Sequence, residues 1–123
     1  MGIKEVLKGT IEGTGEVAES LISAVTGIVK EGAEDTSEVF GAVIDLGKDG
    51  IVDISEGVKD AYIGAVNALK ESGKSTEDAV KEVTVNAEKA IANISEESME
   101  TVGGAAKKGL EEAKEIVSKP FEK

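Results

Sequence analysis

The sequence predicts an all-α protein made of long amphipathic helices. Three observations carry that prediction. An eleven-residue repeat fills the chain, no strand period of two persists beyond a few residues, and the apolar positions of the repeat share one side of a helix. Cut from Gly2 in elevens, the chain gives eleven units ending at Glu122, with no insertion or deletion. Eleven residues over three turns is about 3.67 per turn, so each residue advances about 98° around the axis. Slots 1, 2, 5, 6, 9 and 10 of the unit then fall side by side, and they hold the small and apolar residues. Slots 3, 4, 7, 8 and 11 fill the other side. The apolar arc spans roughly 160°, wider than the ~100° stripe of an ordinary surface helix. Sustained without phase drift, the period predicts a straight or slightly right-handed coil.

The first four units, Gly2 to Asp45, are regular, and slot 5 carries Val6, Val17, Ile28 and Val39. Unit 5, Leu46 to Glu56, has Gly47 in slot 2 and Gly50 in slot 5, which empties two core slots and marks a helix break near 47–50. Unit 6 restores the pattern. Unit 7, Ala68 to Asp78, places Ser72, Gly73, Thr76 and Glu77 in apolar slots. Gly73 there reads as the residue just past a helix end, and Ser75 as an N-cap followed by acids in a first turn. A second break is expected near 72–75. Units 8 to 11 resume the stripe with Val80, Val83, Ile94 and Ile116, and Pro120 closes the last helix. One domain, 1–123, is expected. The alternative to breaks is one continuous helix.

Composition excludes several functions. The chain has 25 acids against 14 lysines, a net charge of −11, and no Cys or His; Arg, Trp and Gln are also absent. Without Cys or His there is no disulfide, zinc or haem chemistry, which leaves oxygen ligands and hard cations. Acidity without Arg argues against nucleic acid as a partner. No apolar run reaches signal-peptide or membrane-span length, so a cytoplasmic chain is expected, peripheral on an internal apolar surface if it meets one. Slots 4 and 11 are acidic in eight of eleven units each, a column that reads as an outer, solubilising face.

Two short strings suggest chemistry. Asp45, Asp49, Ile51, Asp53 and Glu56 stand at positions 1, 5, 7, 9 and 12 of a calcium-loop pattern, with Gly50 at the turn position. Ile51 would offer its carbonyl and Glu56 both oxygens. Gly47, at position 3, offers no side-chain oxygen, and the acidic columns alone supply Asp45, Asp49 and Glu56. Ala68 to Ser75 is a relaxed phosphate-loop string ending Gly73-Lys74-Ser75, which needs a strand before it. Helix punctuation explains the same residues. No catalytic residue and no required cofactor is nominated, and a non-enzymatic protein is expected.

The phase-locked repeat resembles bacterial hendecad coiled coils and, more distantly, the synucleins and group 3 late-embryogenesis-abundant proteins. Val102-Gly103-Gly104-Ala105, Lys30-Glu31-Gly32 and Lys81-Glu82-Val83 carry the synuclein likeness. The likeness is one of period and composition over the whole chain. Synuclein repeats have a basic-flanked face, whereas the polar face here is acidic at its centre. The resemblance implies helices packed as a bundle, barrel or filament, or a helix lying on lipid.

The expected function is self-association through the wide stripe, with Val6, Val17, Ile28, Val39, Val80, Val83, Ile94 and Ile116 as the association face and a homo-oligomer as product. Val and Ile (25 together) outnumber Leu (5), and 15 Gly are present. An isolated helix of this composition is marginal in water, so something must cover its apolar side. The alternative cover is neutral lipid or another apolar surface, because −11 repels anionic lipid. A chain disordered until dried is a third expectation, set against its 40% hydrophobic content.

Overall fold

A computed structural model of the chain describes Leu7, Gly9 and residues 17–31, 36–94 and 99–118. Five α-helices fill most of the described residues: α1 (Val17–Glu31), α2 (Thr36–Lys48), α3 (Ile54–Glu71), α4 (Thr76–Ala92) and α5 (Gly104–Ser118). A π-helical turn, Met99–Gly103, leads into α5. No strand occurs among the described residues. The fold is all-α, and the chain turns back on itself repeatedly rather than running as one helix. Val6, Pro120 and most of the first repeat unit lie outside the described residues.

Four helix ends have a local chemical cause. Helix α2 stops in a Schellman arrangement: Gly50 adopts φ 82°, its N–H donates to the Gly47 carbonyl (3.1 Å), and the Ile51 N–H donates to the Leu46 carbonyl (3.0 Å). Helix α3 stops the same way. Gly73 sits at φ 105°, with Gly73 N–H donating to Lys70 (3.1 Å) and Lys74 N–H to Leu69 (3.0 Å). Only glycine takes such a left-handed angle without strain. Helix α3 starts where the Asp53 carboxylate accepts the Glu56 N–H (3.1 Å), and α4 where the Ser75 hydroxyl accepts the Asp78 N–H (3.2 Å). Each cap satisfies a donor that a helix start otherwise leaves open.

Helix α3 is the hub, packing against α1, α2, α4 and α5. Small residues make these approaches close. A Cβ at Gly64 would lie 2.7 Å from the Ile22 carbonyl and 3.1 Å from Val25 Cβ, so α1 crosses α3 almost backbone to backbone. The Thr26 hydroxyl sits at this crossing, 2.8 Å from the Ile22 carbonyl and 3.0 Å from the Gly64 carbonyl. A Cβ on Gly109 would collide with the Ser55 carbonyl, which marks the α5 crossing. On the α4 side, the buried Tyr62 ring directs its hydroxyl to Thr84 (2.7 Å) and to the Val80 carbonyl (3.3 Å).

The core lies between these helices, with Phe40, Val43, Leu46, Val58, Tyr62 and Val83 fully buried. Burial follows the repeat. Among the described residues, those buried occupy slots 1, 2, 5, 6, 9 and 10, except Ala42, Val52, Asp60, Gly64 and Gly103. Two of the exceptions, Asp60 and Gly64, are on α3, where neighbours on several sides cover part of the polar flank as well.

Candidate functional site

The residues expected to form an association face meet different fates. Val39 and Val83 are fully buried in the shared core. Ile28, Val80 and Ile94 are half-buried and pack against it. The backbone of Val17 begins α1, and Val6 is outside the described residues. Ile116 is 42% exposed near the end of α5. Among the described residues, Val85 is the other exposed large apolar side chain, at 52%, and it lies in slot 7, on the polar side of the repeat. The stripe is thus covered largely by helices of the same chain.

Of the five proposed calcium ligands, Asp53 and Glu56 have side-chain partners within their own helix region. Asp45 points outward from α2, and Asp49 lies in the turn after it. Asp53 caps α3 and also accepts the Ser55 hydroxyl (2.8 Å). Its pKa is lowered, first by the Glu56 N–H and then by that hydroxyl. Glu56 reaches forward to Lys59 (2.8 Å) rather than back to the turn. The Ile51 N–H helps to end α2, which leaves its carbonyl, the atom proposed as a ligand, uninvolved in that bond. No group of three or more acidic side chains that could hold a metal ion occurs among the described residues. The two glycines that suggested a loop serve helix geometry instead. Gly50 ends α2, and Gly47 leaves room for the side chain of Ile54.

The phosphate-loop string is likewise punctuation. Tyr62 to Asn67 is helical, not a strand. Lys74 pairs with Glu82 (3.1 Å), and Ser75 caps α4.

Clefts between helices occur among the described residues, and two are well defined by their lining. One, of about 430 Å³, lies between α4 and α5 and is lined by Ile91, Ala92 and Leu110, with Glu88, Lys107 and Glu111 at its edges. The other, of about 300 Å³, lies between α2 and the end of α4, lined by Gly41, Ile44, Asp45, Lys48, Ala90, Asn93 and Ile94. Neither gathers a nucleophile with a base, the minimum for covalent or acid–base chemistry.

Among the described residues, Asp60 is the one acidic side chain that the fold buries. It is 5% exposed, although its slot belongs to an acidic column expected on the outer face. Its pKa is pushed up to about 6, mainly by burial, with the Glu56 carboxylate one turn away adding to the rise and Lys59 opposing it. Periodicity cannot reveal this residue, because it specifies a direction around one helix and not the number of helices gathered around it.

No protein-family model, curated protein or solved structure matches the chain. No helix among the described residues is long and apolar enough to cross a membrane.

Proposed function

We propose that the chain is a non-enzymatic helical protein that works by helix–helix association through its wide apolar stripe, first between its own helices as a bundle and then between copies. The observation that supports this best is the coincidence of the six apolar slots with the residues that meet around α3, including Val39 and Val83 from helices α2 and α4. Acid-rich slots 4 and 11, apart from the buried Asp60, then face outward and limit further aggregation by repulsion. The experiment is the double substitution Val80→Asp, Val83→Asp, read by circular dichroism and by light-scattering mass. An unpartnered charge at the fully buried Val83, with a second at the half-buried Val80, costs several kcal/mol, enough to unfold a marginal domain. Helicity and any multiple of the 12.7 kDa chain mass should be lost together. An unchanged spectrum and mass would sink the buried-stripe reading.

A second reading is favoured by the chain-long register of the stripe. One continuous apolar side also suits a helix lying on neutral lipid or another apolar surface. The two readings separate in plain buffer. Strong helicity there supports association, whereas helicity gained only on adding neutral vesicles supports surface binding.

A further inference from the structure

Helices α3 and α4 are separated by the Ser72–Ser75 turn, yet the eleven-residue register passes through it without gain or loss. Ala68 and Leu69 hold slots 1 and 2 at the end of α3, and Ala79 and Val80 hold the same slots at the start of α4. Two helices joined by a turn set their apolar sides independently, so the folded-back form does not require this continuity. A single helix running through the turn does require it, because only an unbroken period keeps those four residues on one side. Lys70 to Ser75 are all exposed, so straightening the segment uncovers no buried side chain. The backbone donors of the turn would find ordinary helical acceptors four residues back.

Resting on the association reading, we propose that the Ser72–Ser75 turn is a hinge at which α3 and α4 join into one helix. Two copies of the chain then exchange their α4–α5 halves. Exchange preserves what α3 gains from α4 and α5, including the Tyr62 hydroxyl contacts with Thr84 and the Val80 carbonyl, but makes those contacts between copies. The partner is therefore a second copy of this chain, recognised by the same core that closes the single one.

Two substitutions push the hinge in opposite directions. Gly73 has open space around it but a left-handed φ of 105°. Gly73→Ala strains the turn and improves the continuous helix, raising the dimer-to-monomer ratio by about 30-fold or more. Thr76 is the first residue of α4, after Ser75 in an extended conformation (φ −67°, ψ 157°). Thr76→Pro suits that start and forbids a continuous helix, so it should hold the chain monomeric with its helicity intact. Gly41→Ala, at an open mid-helix site, is the control and should leave the mass unchanged.

Mass is read by light scattering up to millimolar chain. Exchange is read by isotope-filtered NOEs between the Tyr62 ring and Val80 or Thr84, in dimers refolded from labelled and unlabelled chains. The expected result is a Gly73→Ala dimer with those NOEs between chains. A folded Gly73→Ala monomer, or a dimer whose Tyr62 NOEs stay within one chain, overturns the hinge. Should Gly73→Ala fail to fold, wild type is set against Thr76→Pro. A dimer in wild type alone supports the hinge, and equal association in both, or none in either, overturns it. These failures differ from failure of the association reading, which alone predicts collapse of the Val80→Asp, Val83→Asp variant.

Discussion

Replacing Asp60 with Asn should remove a pH-dependent weakness from the middle of the fold. The folded carboxyl has its pKa raised to about 6 from an ordinary 3.8, so the native chain holds that proton more tightly than the unfolded chain. Between those values the native state carries more bound protons, and stability therefore falls as pH rises toward 6 and is flat above it. A proton held with a pKa of about 6 rather than 3.8 makes the folded chain roughly 1 to 1.5 kcal/mol more stable at pH 5 than at pH 7.5, the lower figure allowing for solvent screening. Asn at this position has no charge to bury, so the variant lacks that slope and gains stability at pH 7.5. Urea unfolding followed by circular dichroism at several pH values between 5 and 7.5 measures the difference, while the other acids contribute equally to both proteins. Parallel stability curves for wild type and Asp60→Asn would show that Asp60 is not buried in solution and would remove the ground for a central α3.

Two further outcomes follow from contacts around the same helix. Gly64→Ala should cost about 1 to 3 kcal/mol by thermal or urea unfolding, because its Cβ meets the Ile22 carbonyl and Val25; Gly27→Ala, with open space around it, should gain up to about 1 kcal/mol. Calcium at about 5 mM should leave the melting temperatures of wild type and Glu56→Gln equally unmoved, since Asp53 caps α3 and Glu56 pairs with Lys59; a calcium-dependent rise in wild type alone would restore the loop reading.

Features that depend on a few adjacent residues were legible in the sequence. Gly73 and Ser75 end one helix and start the next through bonds reaching no further than the neighbouring turn, and helix content follows from the period. The burial of Val39 and Val83 follows from the same period. Features that depend on several helices meeting were not legible. Asp60 repeats the spacing of exposed acids, and only the convergence of helices on α3 buries it. Ile116 repeats the spacing of buried aliphatics, yet near the end of α5 nothing fully covers it. The ends of α1 at Glu31 and of α4 at Ala92 interrupt units whose apolar slots are largely filled, so the repeat gave no warning of either. In the string that suggested calcium, Gly47 and Gly50 also meet a need the spacing does not show: a helix end with a large side chain packed beside it.

The central claim is that the stripe is covered by the chain's own helices gathered around α3. Native-state amide hydrogen exchange in plain buffer tests it most directly, because protection reports which backbone bonds open only on global unfolding. The account predicts the slowest exchange in α3 from Val58 to Leu69, with protection at the level of global stability. Faster exchange is expected in α5 near the exposed Ile116. Uniformly rapid exchange throughout the chain, or an α3 that exchanges no more slowly than the end of α5, would contradict it.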